Sequence, residues 1–369
     1  PKQAQVIDKK SFSVLPTVEP ATVGNGSAFF FVPPGHTLES LKEKPFHIYD
    51  EEFYDIIGPN PTLTVVAESS DSPLFFEGVV WYPPTDEIFI VQEGGTGSGP
   101  KKSGVISKIS VSEAAAVASS GNGTVTVETV NATGIVNPNG GANYKGQIVY
   151  VVIGSGSEDV SQVVLLNPVE PYNTTVLVNN FFGRQFNTID DVAVNPRNNE
   201  VYFSDTGYGY LMGLKPAPGI QNQIYKYNDE TGAVAVVADG FDLPNGVAFS
   251  PNGSYAYITD TAINVGTKGW DLTKPSTIYR FDVQEDGTFE NRKTFAFIDS
   301  GVPDGIHCDS KGNVYAATSD GVNVWNQSGN LIGKIFLGKT AVNFNFAGDG
   351  RLLIGTGTEL YYAGVAASG

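Results

Sequence analysis

Cysteine is almost absent from this chain, since Cys308 is the single one among 369 residues. An intrachain disulfide and a cysteine-rich zinc site are therefore excluded. Basic residues are also scarce, with 22 Lys and Arg against 39 Asp and Glu. The basic residues do not form the cluster that binding to a run of phosphates would require. The sequence also lacks any stretch near the ~20 apolar residues of a membrane span. We therefore expect neither nucleic acid nor a membrane as a partner.

Glycine, proline and aromatic residues are abundant instead. The chain contains 43 Gly, 22 Pro, 22 Phe and 17 Tyr, and 41% of its residues are hydrophobic. That is enough apolar surface for a sizeable core. Strong helix formers do not accumulate over several turns, while Val, Thr and Tyr recur throughout. The composition predicts an all-β globular protein.

Glycosylation sequons indicate a secreted protein, although some would occur by chance in a chain rich in Asn, Ser and Thr. Each lies beside turn-forming residues, where an exposed loop is expected. The chain starts at Pro1 and has no charged and then apolar leader, as expected of a processed mature form or a trimmed chain. N-glycans are predicted at Asn25, Asn122, Asn131, Asn173, Asn252 and Asn326.

One pattern recurs six times along the chain: a short apolar strand, a turn and a second, aromatic-rich strand. The copies begin at residues 78, 140, 191, 246, 305 and 343. A second hairpin lies between copies, so each repeat supplies four strands, which is the signature of a propeller blade. Two β-sandwiches are the alternative, but sandwiches do not require one motif recurring along the chain. We therefore predict a six-bladed β-propeller with four-stranded blades.

The repeat also predicts the domain boundaries. The propeller should occupy residues 61–369, and residues 1–60 should form an N-terminal extension packed on it, with a short helix within 50–57. The last copy lacks an outer strand, and residues 62–68 are apolar enough to supply it. That pairing would close the ring and remove an exposed sheet edge.

Polar residues occupy the position just before most copies. Inner strands of a propeller run along a central channel, so these side chains should meet at its mouth. Asn-Gly and Asp-Gly are also ordinary turn sequences, but turn chemistry does not explain a Glu. Three acids around one axis would repel each other unless a cation or a raised pKa compensates. Oxygen ligands suit a hard cation, Ca²⁺ before Mg²⁺ or Mn²⁺, with Zn²⁺ possible. The six positions are Glu77, Asn139, Asp190, Asn245, Asp304 and Val342.

At these positions the sequence resembles the gluconolactonase, senescence marker protein and luciferin-regenerating-enzyme family. The resemblance covers about residues 60–360. The N-terminal extension and the segment 139–146 are similar to its secreted fungal lactonohydrolases, which hydrolyse aldonolactones and pantoyl lactone. The motifs that carry the resemblance are Phe76-Glu77-Gly78, Asp190-Asp191, Tyr202-Phe203-Ser204-Asp205, Leu243-Pro244-Asn245-Gly246 and Pro303-Asp304-Gly305.

The resemblance implies a calcium-dependent lactonase acting on a sugar-type or pantoyl-type lactone. It implies Glu77, Asn245 and Asp304 as metal ligands and leaves open whether Asp190 is a ligand or the base. The substrate contacts that we expect are Asn139, Asn187 and Tyr208.

Lactone hydrolysis suits these residues chemically, because a cation can polarise the carbonyl while a carboxylate activates water. Asp190 or Asp304 is the expected base. His307, three residues beyond Asp304, is either a further catalytic or substrate-contacting group or a packing residue. Two other functions remain open: a strictosidine-synthase-like condensing enzyme and a non-enzymatic ligand-binding propeller.

Overall fold

The computed structural model describes residues 1–18, 31–97, 99 and 102–369. Within this part of the chain, six sheets, antiparallel except for one parallel pair near the N-terminus, are arranged so that the first strand of each blade contacts the first strand of the next, and the sixth contacts the first. This closed ring is a six-bladed β-propeller, so the predicted fold is confirmed and the sandwich alternative is wrong. No described helix is long and apolar enough to cross a membrane.

Short elements precede the first blade. They are β1 (Ala4–Val6), a 3₁₀ turn (Lys9–Phe12), α1 (Leu38–Glu43), β2 (Phe46–Ile48), α2 (Glu52–Ile57) and β3 (Thr62–Glu68). The helix expected within residues 50–57 is thus present as α2.

The blades follow in chain order. Blade one contains β4 (Glu77–Tyr82), β5 (Glu87–Val91), β6 (Ile106–Ser110) and β7 (Glu128–Val130), with α3 (Val111–Ser120) between its last two strands. Blade two contains β8 (Pro138–Tyr144), β9 (Gln147–Val152), β10 (Gln162–Leu166) and β11 (Thr174–Val178). Blade three contains β12 (Ile189–Val194), β13 (Val201–Asp205), β14 (Gln223–Asn228) and β15 (Ala233–Ala238), with α4 (Tyr208–Leu211) after β13.

The second half of the ring has the same construction. Blade four contains β16 (Pro244–Phe249), β17 (Tyr255–Asp260), β18 (Thr277–Val283) and β19 (Phe289–Phe297), with a 3₁₀ turn (Gly266–Lys268) after β17. Blade five contains β20 (Ile306–Cys308), β21 (Val314–Thr318), β22 (Gly321–Trp325) and β23 (Leu331–Phe336). Blade six contains β24 (Asn343–Phe346), β25 (Arg351–Gly355) and β26 (Glu359–Gly364).

Both ends of the chain contribute to ring closure. The early strand β3 pairs antiparallel with β26 and completes blade six, as the sequence predicts. At blade five, β2 pairs with the outer strand β23 and β1 pairs with β2, so this sheet has six strands. The ring of Phe53 from α2 lies directly on Gly333 of β23, where any side chain would collide with it. The N-terminal segment therefore covers an edge that blade five would otherwise expose.

The core lies between neighbouring blades. Alternate residues of each strand point to opposite faces of its sheet, so each face packs on the next blade. Between blades two and three, for example, Val149 and Val151 pack with Phe203 and Tyr225, which stack with ring centroids 5.4 Å apart. Interfaces of this kind all around the ring fix the positions of the six inner strands and hence of the residues at the channel mouth.

Candidate active site

Of the six positions predicted from the repeat, the five polar ones line one cavity of about 540 Å³ at the mouth of the channel. They come from five different blades and are all at least nine-tenths buried, apart from the half-buried Asp304. We call them the channel-mouth residues: Glu77, Asn139, Asp190, Asn245 and Asp304.

Irregular pairing in the inner strands positions several of these side chains. In β8, β12 and β16 the register with the next strand shifts at residues 139–140, 190–191 and 245–246. In β4 the register with β5 shifts immediately after Glu77, at residues 78–79. A bulge of this kind re-aims a side chain and is frequent beside active sites. In blades two to four the shift therefore includes the polar residue at the channel mouth, and in blade one it follows that residue directly.

The glycines that follow channel-mouth residues allow neighbouring blades to approach closely. A Cβ atom on Gly246 would lie 2.7 Å from the carbonyl oxygen of Asp304, and one on Gly305 would lie 2.7 Å from the Asn343 side chain. Gly246 and Gly140 lie within β16 and β8 and not in hairpin turns. Close packing of inner strands, and not turn chemistry, accounts for these Asn-Gly pairs.

Carboxamides hold two of the buried carboxylates in place. The Asn343 side chain donates through Nδ2 to Glu77 Oε2 at 2.5 Å, and its Oδ1 accepts from the Phe344 amide at 2.7 Å. Asn139 Nδ2 donates to the carbonyl oxygen of Asp190 at 2.7 Å and to Asp190 Oδ1 at 3.3 Å. Each carboxylate therefore has a defined orientation.

Asn343 was not among the residues predicted from the sequence. The repeat register pointed to Val342 in blade six, and Val342 does not line the cavity. Strand β24 starts at Asn343 and pairs with β25 without a register shift. The polar residue of blade six therefore stands one position later than in blades two to four, and although it does not line this cavity either, its side-chain amide reaches Glu77. An Asn beginning an inner strand was the available signal.

The buried carboxylates raise each other's pKa values. Burial, together with the carboxylates of Asp304, Asp190 and Asp191, raises the pKa of Glu77 well above its usual range. Burial and the carboxylates of Asp304 and Asp191 raise the pKa of Asp190 as well. Burial raises the pKa of Asp304 to about 7, although a hydrogen bond from Asn245 opposes the change. In the described part of the chain, no Lys, Arg or His lines this cavity to balance the acids.

The donor atoms fit a hard cation. Asp304 Oδ1 is buried and has no hydrogen-bond partner within the described structure, and such an atom normally requires one. The lining side chains offer oxygen donors without thiolate or imidazole. No three His, Cys, Asp or Glu side chains among residues 1–18, 31–97, 99 and 102–369 are grouped as a metal site. A cation here would therefore need amide as well as carboxylate oxygens.

Three other predicted site residues have different surroundings. Tyr208 lines the cavity, but its hydroxyl is hydrogen-bonded to Thr261 Oγ1 at 2.5 Å. Asn187 lies outside the cavity: its Oδ1 accepts from the Gly219 amide at 2.9 Å, and its Nδ2 donates to the Ile220 carbonyl at 3.0 Å. Asn187 thus anchors the loop before β14.

His307 is not brought to the channel mouth either. It lines a second cavity of about 580 Å³ formed by later residues of the inner strands, which places it at the opposite end of the channel. Its ring packs edge-on against Phe344 at 5.2 Å, and burial lowers its pKa to about 4. Asp191 also lines this second cavity and not the first.

The fold and the cavity define a six-bladed propeller with an acidic, oxygen-lined pocket at one mouth of its channel. Residues 151–358 match the SMP-30/Gluconolactonase/LRE-like region. The chain therefore belongs to the SMP-30/gluconolactonase/LRE-like family, in agreement with the resemblance noted from its motifs.

One curated relative and two solved structures are similar to the chain. The chain is 25% identical over 339 residues to lactonohydrolase oryL from Aspergillus oryzae, covering 86% of this chain and 73% of that protein. The solved structure of a gluconolactonase from Xanthomonas campestris has the same fold, with a TM-score of 0.68 and 21% identity over 93% of this chain and 99% of that one. A calcium-binding regucalcin from Agrobacterium tumefaciens also shares the fold, with a TM-score of 0.55 and 16% identity over 83% and 97% of the two chains.

Proposed function

We propose that this protein is a divalent-cation-dependent lactonase that opens a lactone to its hydroxy acid, with Ca²⁺ as the expected cation. The observation that most directly supports a bound cation is the buried, unpartnered Asp304 Oδ1. It belongs to a cavity that also contains Glu77 and Asp190 and no described basic side chain. Repulsion among such buried acids is relieved by a bound cation. Membership of the family and the similarity to a lactonohydrolase support lactones as the substrate class.

Glu77, Asn245 and Asp304 are the residues that would hold the cation. When bound, it would polarise the lactone carbonyl and stabilise the negative charge that develops on its oxygen. Asn343 keeps one Glu77 oxygen engaged and so fixes how the carboxylate faces the cavity. The Asn245 side chain lies beside the Asp304 carboxylate and favours its charged form.

Asp190 is the proposed general base. It lines the same cavity, and its raised pKa makes it a stronger proton acceptor than an exposed carboxylate. In this role Asp190 takes a proton from water as the water oxygen attacks the carbonyl carbon. The bond from that carbon to the ring oxygen then breaks, and Asp190 returns the proton it had accepted to the ring oxygen, which gives the hydroxyl group. The new carboxylic acid releases its remaining proton to solvent. Asn139 holds the Asp190 carboxylate during these steps.

Acid release from glucono-δ-lactone and D-pantoyl lactone tests this proposal. The protein is assayed as purified, after exhaustive chelation, and after return of Ca²⁺, Mg²⁺, Mn²⁺ or Zn²⁺. We expect loss of turnover on chelation and recovery with a divalent cation. Full activity in the metal-free protein would contradict the cation's role. A tightly bound cation without turnover of any lactone would favour a ligand-binding propeller instead.

A matched pair of variants tests the base. Asp190→Asn should lower kcat by ~10²–10⁴-fold, the usual contribution of a general base. Asp191→Asn is the control, because this adjacent carboxylate faces the second cavity; since it raises the pKa of Asp190, its removal should change the pH dependence of kcat more than kcat at its optimum. Equal losses in the two variants would contradict the assignment.

We also propose that the protein is secreted and N-glycosylated. Four sequon asparagines are exposed, Asn326 is half-buried and donates to Glu52 at 2.9 Å, and Asn25 lies outside the described residues. A mass decrease after endoglycosidase treatment of the protein from its native source would support glycosylation. An unchanged mass would contradict it. The four exposed positions are Asn122, Asn131, Asn173 and Asn252.

A further inference from the structure

The channel-mouth residues form one part of the cavity lining, which we call the floor, and the remaining lining, the wall, differs from it chemically. Whereas the channel-mouth residues are polar, the rest of the same cavity presents five apolar side chains among a smaller charged and polar set that includes Glu93 and Asn264. One of them, Met212, is the only methionine of the chain and remains 36% exposed. An exposed methionine is an adaptable apolar surface. We call these residues the apolar wall: Phe76, Ile153, Met212, Leu214 and Val302.

The segment that supplies Met212 and Leu214 is firmly attached to its neighbours. The Leu214 carbonyl accepts from the Gly156 amide at 2.8 Å, and the next residue, Lys215, donates to the Asp159 carbonyl at 2.8 Å. On the other side, Gly95 approaches so closely that a Cβ there would lie 2.7 Å from Leu214 Cδ2. The apolar wall is therefore preformed, which lowers the entropic cost of binding an apolar group against it.

Polar groups of the wall are largely engaged within the protein. The Tyr208 hydroxyl is bonded to Thr261, and Thr96 Oγ1 donates to the Glu93 carbonyl at 3.1 Å. Thr267 Oγ1 donates to the carbonyl of Leu211 at 3.3 Å. A polyhydroxylated ring would lose water hydrogen bonds here and find, outside the channel-mouth residues, mainly the Glu93 carboxylate and the Asn264 amide to replace them, which costs binding free energy.

The charge of the cavity disfavours one further class of substrate. The Glu93 carboxylate also lines the wall and adds to the three acids of the floor, while no described Lys or Arg lines the cavity. A phosphate or carboxylate substituent would be repelled by Glu93, which lies outside the set proposed to hold a cation.

Building on the proposed lactonase function, we propose that the preferred substrate is a neutral lactone with an alkyl or aryl substituent. The ester group lies on the polar floor, and the substituent packs against the apolar wall. Met212 and Leu214 are then specificity-determining residues. Sugar lactones and lactones with an anionic substituent are the poorer substrates of this site.

A homologous series of lactones tests the preference with the intact, cation-loaded protein. The probes are δ-valerolactone, δ-hexalactone, δ-octalactone and δ-decalactone, which share a ring and differ in alkyl chain, together with glucono-δ-lactone. Each methylene group that becomes fully buried should raise kcat/KM about fourfold. We expect a rise along the series and a lower value for glucono-δ-lactone than for δ-decalactone.

Polar replacements of similar size test whether Met212 and Leu214 determine the substrate preference. In Met212→Gln and Leu214→Asn, the ratio of kcat/KM for δ-decalactone to that for δ-valerolactone should fall about tenfold, because the alkyl chain loses its apolar contact. Leu272→Asn is the control: Leu272 is 42% exposed and lies outside the cavity, so the ratio should not change.

The outcomes separate this inference from the lactonase function itself. Turnover of glucono-δ-lactone with a flat or falling alkyl series would overturn the substrate preference and leave the lactonase function standing. A rising series that Met212→Gln and Leu214→Asn leave unchanged would overturn the role of the apolar wall. Absence of turnover on every lactone, with a divalent cation present, would overturn both.

Discussion

Replacing Asn343 with Ala should weaken cation binding without unfolding the protein. Asn343 Nδ2 is bonded to Glu77 Oε2 at 2.5 Å, and both residues are buried. A hydrogen bond to a charged group contributes roughly 1.5–3 kcal/mol, and loss of a partner that orients a metal ligand lowers affinity ~10–100-fold. We therefore expect the Kd for Ca²⁺ to rise by about one to two orders of magnitude.

Calorimetric titration of Ca²⁺ into the chelated protein measures this change directly, without relying on turnover. Asn345→Ala is a closely matched control, because Asn345 lies two residues along the same strand and donates to the Val79 carbonyl at 2.8 Å. It should cost stability but leave Ca²⁺ affinity near that of the unmodified protein. A Kd for Asn343→Ala within twofold of the unmodified protein would refute the reasoning.

Three further predictions concern stability, each measured by urea unfolding. Gly246→Ala should destabilise the protein by about 1–3 kcal/mol, since its Cβ would lie 2.7 Å from the Asp304 carbonyl oxygen; an unchanged midpoint would contradict the close approach. Burial lowers the pKa of His47 from 6.5 to about 4, so between these pH values the histidine is protonated in the unfolded chain and neutral in the folded one. Stability therefore falls as the pH drops from 6.5 towards 4. By pH 4.5 this costs about 2.5 kcal/mol, and His47→Gln should reduce the pH dependence; an identical profile would exclude His47 as its source. Lys334→Met should lower the free energy of unfolding by about 3–5 kcal/mol, because it removes the ion-pair partner of the buried Asp320, which lies 2.9 Å from Lys334 Nζ. A neutral effect would show that other contacts satisfy Asp320.

Much of the fold could be predicted because each blade packs in the same way and therefore has the same sequence pattern. The six copies mark inner hairpins, and the gap after the last copy predicts the pairing of β3 with β26. The addition of β1 and β2 to blade five could not be foreseen in the same way. These strands have three residues each, too few to show an alternating pattern, and their pairing depends on an edge formed by residues 331–336.

The candidate site could be predicted where strand register repeats. Five channel-mouth residues converge because they hold equivalent places in five blades. Asn343 was missed because blade six lacks the register shift seen in blades one to four. His307 was placed too near the cavity: three residues along a strand span about 10 Å, enough to reach the other end of the channel. Asn187 is held by backbone groups of residues 219–220, a loop contact that no local pattern reveals.

The most direct test of the account is a crystal structure of the protein grown with Ca²⁺, with the cation located by its anomalous scattering. We predict one strong peak at the channel mouth, coordinated by oxygens of Glu77, Asn245 and Asp304 at about 2.3–2.6 Å. A protein that hydrolyses lactones in the same solution, yet shows no cation at these three side chains, would contradict it.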